Sequence, residues 1–242
     1  MHRFFEDFSS LYENKIFLNK NNIKHFNVLR IQTEEEFEVV IDTIIYIVKP
    51  LEITKNEIIC AILSQNNDNN ESNLKINLYQ GLPKSDKLEL IIQKCTELGI
   101  TKIIPFTSSR TVVKWDEKKE KKKINRYQEI AESAAKQSKR AIIPEVALSV
   151  SFSQMLKDLE NEYTIVAYEN RGINLRDILK TIKQDEINIV IGPEGGFSES
   201  EIKSLEDINA KIVNLGDRIL RTETAAIALT AMIQYEIGDI NK

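Results

Sequence analysis

The sequence predicts an α/β protein of two domains: a small β-barrel-like domain over residues 1–70 and a larger α/β domain over residues 74–242. Three observations support this. Residues 65–73 (QNNDNNESN) are polar, and Asn and Asp at this density favour turns, so the segment indicates a linker. Short stretches rich in β-branched residues precede it. After it, strands and helices alternate, an order typical of a mostly parallel sheet covered by helices.

Four strands are predicted before the linker. Most of their apolar residues are Val or Ile, which suit a pleated, half-buried surface. Short strands of this kind favour a small barrel-like domain. The strands are predicted at Phe26–Ile31, Phe37–Asp42, Thr43–Val48 and Glu57–Leu63.

Five strands and four helices are predicted after the linker. In the first helix, Ser85 or Asp86 can act as N-cap, and Gly99 stands where a helix ends. The last helix is apolar nearly all round, so it must lie in the core or in a subunit interface. The strands are Leu74–Gln80, Ile100–Phe106, Thr164–Tyr168, Asn188–Ile191 and Lys211–Leu215. The other helices are Lys121–Arg140, Ser198–Glu206 and Glu223–Ile237.

The composition is that of an ordinary globular protein. The chain has 242 residues, 42% hydrophobic and 29% charged, which excludes a wholly disordered chain. No apolar run approaches the roughly 18–20 residues that cross a bilayer. The N-terminus lacks the basic start and apolar stretch of a signal peptide. Cys60 and Cys95 have no CxxC or His-rich neighbour, so we expect no disulfide, no metal, no membrane and a cytoplasmic location.

Charge is distributed unevenly along the chain. The net charge is −4, but residues 73–140 carry 16 basic and 8 acidic groups, and the segments on either side are acidic. A basic block of this size permits RNA binding. Because acids are mixed with lysines around Lys118–Lys123, a solvated helix face is the alternative for that stretch.

Glycine is scarce, so its positions are informative. Four of the eight glycines lie between residues 192 and 216. Three belong to GPEGG, residues 192–196, directly after a predicted strand, and Gly216 ends the next strand. Glycine allows positive φ and close approach to a ligand, and open α/β sheets bind ligands at the carboxyl ends of their strands. Two tight turns without a ligand are the alternative.

The GPEGG loop also restricts the class of ligand. It matches neither GxGxxG nor a Walker motif, and it has no lysine to hold a phosphate. Glu194 would repel a phosphate, whereas it suits a ligand with a cationic part. S-adenosylmethionine, with its adenosine, sulfonium and amino-acid tail, has this character.

A second cluster, LGDRILRTETA at residues 215–225, joins a predicted strand to the last helix. Thr222 is the predicted N-cap, and Glu223 in the first turn complements the helix dipole. Arg218 and Arg221 stand before a helix N-terminus, where the dipole does not stabilise a cation. We interpret Arg221 as a contact for an anionic group and Arg218 as the partner of a nearby carboxylate.

The two clusters resemble the paired C-terminal motifs of the RsmE family of SPOUT methyltransferases. Upstream, KLELIIQKCTELGITKIIPFTSSRTVV and IAESAAKQSKRAIIPEV are similar to two further blocks of that family, and KHFNVLRI is similar to a motif of its RNA-binding domain. The matches run in order from His25 to Ala231. Two features depart from the pattern: Arg110-Thr111-Val112 stands where the family has RSV, and residues 31–80 contain no glycine.

The resemblance implies a PUA-like β-barrel followed by a SPOUT α/β domain with a deep trefoil knot. It further implies a homodimer that binds S-adenosylmethionine in the knot and methylates N3 of uridine 1498 in the 16S rRNA of the 30S subunit. The knot rests on the resemblance alone. Two alternatives stay open: the same cofactor with another rRNA or tRNA nucleotide, and a non-catalytic ribosome-binding protein on the same scaffold.

Carried over to this chain, the resemblance implies two walls of a cofactor site. Arg221 is predicted to stabilise negative charge on the deprotonated base, with Glu223 as orienting partner or proton acceptor. One wall is formed by Gly192, Pro193, Glu194, Gly195 and Gly196. The other is formed by Leu215, Gly216, Ile219, Leu220, Thr222 and Ala225.

RNA contacts are predicted in both domains. Arg110, Gln137 and Arg140 come from the upstream blocks and are expected to touch the target base or rRNA phosphates. For Gln137 and Arg140, an exposed helix end is the alternative. His25 and Arg30 are the candidates in the first domain, where a packed structural role for His25 is equally open. An acidic run in the same domain argues against RNA contact there.

Overall fold

The structure is a computed structural model that describes residues 1–67, 70–113 and 115–240, apart from the side chain of Glu117. The middle of the predicted linker, Asp68 and Asn69, lies outside the described residues. The first two linker residues, Gln65 and Asn66, belong to a strand.

The chain divides into two compact units. Unit 1 comprises Met1–Glu71 and Lys136–Ile142, and unit 2 comprises Ser72–Ala135 and Ile143–Lys242. The assignment of the short segment Lys136–Ile142 to unit 1 therefore differs from the sequence prediction, which places this segment in the second domain. No local pattern distinguishes this segment, because its membership depends on contacts with distant residues.

The described residues of unit 1 form six strands in one barrel-like sheet. They are β1 (Arg3–Phe5), β2 (Leu11–Tyr12), β3 (Lys15–Phe17), β4 (Phe37–Ile41), β5 (Ile44–Ile53) and β6 (Ile58–Asn66). Their order is β1-β4-β5-β6-β3-β2. The β1–β4 pair is parallel, and the other neighbouring pairs are antiparallel. The strands predicted at 37–42, 43–48 and 57–63 are thus confirmed, whereas β1, β2 and β3 were missed because they are only two or three residues long.

One predicted strand of unit 1 is wrong. Phe26–Ile31 lies mostly in a helix, α1 (Lys20–Leu29), which ends at Arg30 with φ +56°. The Asn19 side chain caps this helix by accepting hydrogen bonds from the N–H groups of two residues in its first turn. Ile23 and Phe26, three positions apart, turn inward to the buried core. Helical spacing and a cap therefore override the β propensity of the segment.

A buried ion pair attaches Lys136–Ile142 to the rest of unit 1. Arg140 is 4% exposed, and its Nη2 lies 2.7 Å from Glu71 Oε2. The same carboxylate accepts a hydrogen bond from Ala141 N–H at 2.8 Å. Ala141 packs against Val40 and Ile45. Both charge pairing and apolar contact thus hold this segment in place.

In the part of unit 2 that the structure describes, eight strands form one sheet, and every pairing is parallel. Its strands are β7 (Lys75–Gly81), β8 (Lys102–Thr107), β9 (Glu145–Val146), β10 (Val150–Ser151), β11 (Thr164–Ala167), β12 (Ile173–Asn174), β13 (Glu186–Ile191) and β14 (Lys211–Asn214). The order is β10-β8-β7-β13-β11-β14-β12, with β9 also beside β8. This confirms the α/β class and the parallel sheet.

Helices cover both faces of this sheet. They are α2 (Lys87–Glu97), α3 (Glu117–Gln137), α4 (Phe152–Asp158), α5 (Leu175–Leu179), α6 (Glu199–Asp207) and α7 (Thr222–Glu236). Because successive strand side chains point to opposite faces, Leu78 packs with α2 and α7, whereas Tyr79 packs with α4 and α6. The four predicted helices are confirmed to within a few residues. The trefoil knot stays a prediction, since strand order alone does not define how the chain threads.

Two features are absent from the described residues, a membrane-spanning helix and a metal-binding cluster. No helix in the described part of the chain is long and apolar enough to cross a membrane. Over the same residues, no group of three or more His, Cys, Asp or Glu side chains is placed to hold a metal ion.

The cap of α1 makes the corrected assignment testable. Asn19→Ala removes a side-chain acceptor for two N–H groups, so we expect the free energy of unfolding to fall by about 1 kcal/mol. Asn21→Ala on the same helix is the control, with a change below about 0.5 kcal/mol. Urea denaturation followed by circular dichroism measures both. Equal stability of the two variants would contradict the cap.

Candidate active site

The two glycine-containing loops converge at the carboxyl ends of β13 and β14, which lie on either side of β11 in the parallel sheet. One loop follows β13 and the other follows β14 and leads into α7. Together they line a cavity of 280 Å³, close to the lower end of the size range of ligand pockets. The lining residues are Lys87, Ala167, Glu169, Ile191, Gly192, Pro193, Glu194, Gly196, Phe197, Ile219, Leu220, Arg221, Thr222 and Ala225.

A smaller cavity of 60 Å³ adjoins this one. The two share Ala167, Glu169, Leu220 and Ala225. Leu215 and Gly216 line the smaller cavity. The structure therefore brings together all the predicted cofactor residues except Gly195, which packs against Arg110 instead.

Close backbone approach shapes the loop after β13. A Cβ at Gly81, the last residue of β7, would lie 2.4 Å from Pro193 N and 2.8 Å from Gly192 C. Any side chain there would force the loop away from β7. The loop then turns at Gly196, whose φ is +65° and whose N–H donates to Pro193 O at 2.9 Å. Glycine at 81 and 196 therefore sets the shape of this wall.

Thr222 is not the N-cap of α7, contrary to the sequence prediction. Arg221 occupies the cap position with extended backbone, and no side chain caps the helix there. The Thr222 hydroxyl instead donates to Gly192 O at 2.7 Å and accepts from Gln80 Nε2 at 2.8 Å. Because this hydroxyl bridges to the other loop, it is not available to the first turn of its own helix.

Lys87 joins the two walls electrostatically. Its Nζ lies 3.1 Å from Glu194 Oε1 and 3.4 Å from Glu223 Oε2. The hydrogen bond to Glu194 raises the pKa of Lys87 above its usual value. Partial burial opposes ionisation of Glu194, but hydrogen bonds from Lys84 N–H and Lys87 outweigh it and lower the pKa of that carboxyl. At neutral pH the charged Lys87 therefore pairs with the Glu194 carboxylate.

Sequence reasoning missed five residues of the larger cavity. Two had a signal: Lys87 opens the KLELIIQKCTELG block that resembles the family motif, and Ile191 directly precedes GPEGG. The other three had no sequence signal, because they come from the end of β11, the residues after it and the turn before α6, outside the two glycine-containing clusters. They are Ala167, Glu169 and Phe197.

The two arginines before α7 face different cavities. Arg221 is exposed and lines the larger cavity, and Arg218 lines the smaller one. Within the described part of the chain, neither guanidinium has an ion-pair or hydrogen-bond partner. The expected pairing of Arg218 with a nearby carboxylate is therefore wrong. Arg221 presents an uncompensated positive charge to the cavity.

The predicted RNA contacts are divided between the two units. Arg110, in unit 2, is exposed and donates to Gly195 O at 3.0 Å, so it lies against the GPEGG loop. The other four belong to unit 1. Gln137, His25 and Arg30 are exposed, and His25 makes an edge contact with the Phe4 ring. The buried Arg140 is held by its ion pair.

Comparison with known proteins identifies the family. A protein-family model described as "RNA methyltransferase domain" matches residues 70–234. A protein of Bacillus subtilis named ribosomal RNA small subunit methyltransferase E is 40% identical over 191 residues, which cover 76% of this chain and 75% of that protein. The chain belongs to the RsmE family of RNA methyltransferases.

Two solved structures are similar to this protein over nearly the whole chain. The Neisseria gonorrhoeae ribosomal RNA small subunit methyltransferase E, bound to S-adenosylmethionine, has a TM-score of 0.88 and 31% identity, covering 99% of each chain. The Legionella pneumophila putative methyltransferase, also in complex with S-adenosylmethionine, has a TM-score of 0.89 and 29% identity, covering 98% of each chain. These matches confirm the RsmE resemblance and the predicted enzyme class.

The contact at Gly81 yields a test of the cavity wall. Gly81→Ala places a methyl group against backbone atoms of the loop after β13, so we expect S-adenosylmethionine to bind at least about tenfold more weakly, measured by calorimetry.

The control for this variant is Gly99→Ala. It strains a glycine with φ +86° at the end of α2, outside the cavity, and its Cβ would meet only a flexible side chain. We expect lower thermal stability with cofactor affinity unchanged. Equal cofactor affinity of wild type and Gly81→Ala would contradict the steric argument.

Proposed function

We propose that this protein is an S-adenosylmethionine-dependent methyltransferase that modifies N3 of a uridine, position 1498, in the 16S rRNA of the 30S subunit. The single observation that carries the proposal is the convergence of the two glycine-containing loops on one cavity, into which an unpaired Arg221 projects at the start of α7. Membership in the RsmE family supports the reaction class.

The residues present suit S-adenosylmethionine. The cavity has backbone-lined walls at GPEGG and apolar surface from Ile219, Leu220 and Ala225. The nearby Glu194 carboxylate favours a cationic ligand over a phosphate. We propose that the two walls hold the cofactor, which supplies a methyl group on a sulfonium sulfur when bound.

Arg221 and Glu223 carry the proposed chemistry on the base. The uridine N3 is a good nucleophile only after it loses its proton. We assign Arg221 to stabilise the resulting negative charge on the uracil, since its guanidinium is unpaired and faces the cavity. Glu223, whose buried Oε2 lies 3.4 Å from Lys87 Nζ, accepts the proton. Lys87 keeps this carboxylate oriented and is a positioning residue.

RNA recognition is assigned to exposed residues in both units. Arg110 lies against the cofactor loop, where it can touch the target nucleotide. Gln137, His25 and Arg30 are exposed and are assigned to contacts with the rRNA backbone. A uridine held in base pairing or stacking must be extruded to reach the cavity. For Arg140, burial and the pairing with Glu71 favour a structural role over RNA contact.

A homodimer is proposed from an apolar groove in unit 2. The groove has a volume of 1070 Å³ and includes Leu215 and Gly216, which also line the smaller of the two site cavities. Met232, Tyr235 and Ile240 expose large apolar area in it. Exposed apolar surface of this extent is typical of a protein–protein interface. A second copy of the chain is the proposed occupant, and the 30S subunits of the cytoplasm are the proposed setting of the complex.

The first test of the function is methyl transfer from labelled S-adenosylmethionine to 30S subunits purified from cells that lack their own enzyme. We expect one labelled nucleoside, N3-methyluridine, when the rRNA is digested and analysed by mass spectrometry. Label on another nucleoside would support the enzyme class but would show that the substrate nucleotide is a different one. Absence of both label and cofactor binding would favour a non-catalytic ribosome-binding protein.

Arg221→Ala tests the catalytic assignment. We expect kcat to fall by about 10²–10³-fold with the cofactor Kd within a few-fold of wild type, because the guanidinium acts on the base. Arg171→Ala is the matched control, since Arg171 is an exposed arginine that pairs with Glu206 on α6. Full methylation by Arg221→Ala would overturn the assignment.

Tyr235→Glu tests the dimer. Placing a carboxylate in the groove should raise the dimer dissociation constant at least about tenfold, measured by analytical ultracentrifugation. Leu90→Glu on α2 is the control, because Leu90 is similarly exposed but lies outside the groove. A wild-type protein that is monomeric at micromolar concentration would contradict the proposal.

A further inference from the structure

Gln80 is a buried polar residue beside the site that the proposed chemistry does not use. It lies at the end of β7 with 0% of its surface exposed. Its Nε2 donates to Thr222 Oγ1 at 2.8 Å and to Gly81 O at 2.9 Å. One amide therefore contacts both the end of β7 and the first residue of α7.

The hydrogen bonds of Thr222 fix the orientation of this amide. A threonine hydroxyl has one proton, and here it is donated to Gly192 O at 2.7 Å. The hydroxyl oxygen must then accept its second hydrogen bond, which only the NH₂ end of Gln80 can supply. With the amide reversed, the Thr222 proton would turn toward Gln80 and the bond to Gly192 would be lost.

Stability of the fold alone does not explain a glutamine at this position. Gln80 Oε1 is buried and has no hydrogen-bond partner among the described residues. A buried acceptor without a partner costs free energy, and an apolar side chain of the same shape would avoid that cost. What an apolar residue cannot do is direct the Thr222 hydroxyl toward Gly192.

We propose that Gln80 is a positioning residue for cofactor binding, acting through Thr222 on the carbonyl of Gly192. The chain of bonds from Gln80 to Thr222 to Gly192 joins β7, the start of α7 and the loop after β13. Those three segments carry both walls of the cavity. The inference rests on the proposed function, because it says that Gln80 maintains the shape of the proposed S-adenosylmethionine site.

The test is a double-mutant cycle read as S-adenosylmethionine Kd by calorimetry. Gln80→Met and Thr222→Val should each raise Kd about tenfold. Because both substitutions break the same chain of hydrogen bonds, the double variant should have no higher Kd than the single variant that binds less tightly. Thr222→Ser retains the hydroxyl and should recover most of the affinity that Thr222→Val loses.

Thr230→Val is the matched control. Thr230 is also fully buried on α7, and its hydroxyl donates to Ala226 O at 2.8 Å, away from the cavity. Loss of this hydroxyl should lower thermal stability without changing the Kd for S-adenosylmethionine. Should Gln80→Met fail to fold, the comparison of Thr222→Ser with Thr222→Val decides the role of the hydroxyl.

The outcomes separate this inference from the function on which it rests. A wild-type protein that binds no S-adenosylmethionine would overturn the proposed function, and this inference with it. A wild type that binds, beside a Gln80→Met variant of equal affinity, would overturn only the role of Gln80. Additive effects of the two substitutions on the free energy of S-adenosylmethionine binding would also overturn the role of Gln80, because they would mean that Gln80 does not act through Thr222.

Discussion

The parallel pairing of β13 with β7 is the interaction on which the site depends. Residue by residue it aligns Gln80 with Ile191, so the two strands end at the same edge of the sheet. The loop after β13 therefore begins against Gly81, close enough to exclude any side chain there. A shift of register by one residue would reverse every side chain and separate these backbones. This alignment places the GPEGG loop as one wall of the cavity.

Polar contacts then fix the second wall to the first. The Thr222 hydroxyl reaches Gly192, and Lys87 lies between Glu194 on one wall and Glu223 on the other. The first contact is made by the first residue of α7, and the second is made by the first residue of α2. The N-termini of two helices are therefore joined to the loop after β13. Arg221 takes no part in this network. The site thus combines carboxylates paired with Lys87 and two arginines, Arg218 and Arg221, that have no ion-pair partner among the described residues.

Local sequence signals account for most of the fold and fail in identifiable places. Apolar runs located β7, β8, β11, β13 and β14, and helical spacing located α2, α3, α6 and α7. Phe26–Ile31 was misread, because its apolar residues suit either a strand or a helix and the capping Asn19 decides between them. Thr222 was misread because its partner, Gly192, is 30 residues away. In both cases the decisive contact was invisible to a local pattern.

The sequence by itself determined the α/β class through apolar periodicity, the two glycine-containing loops through glycine spacing, and the family through motif resemblance, because all three are local properties of the chain. Tertiary structure alone decided which loop residues share a cavity, that Lys87 belongs with them, and that Arg140 is buried against Glu71. It also gave Gln80 its place beside Thr222. These facts depend on side chains that are distant in sequence, and only strand register and helix packing bring such side chains within hydrogen-bonding distance.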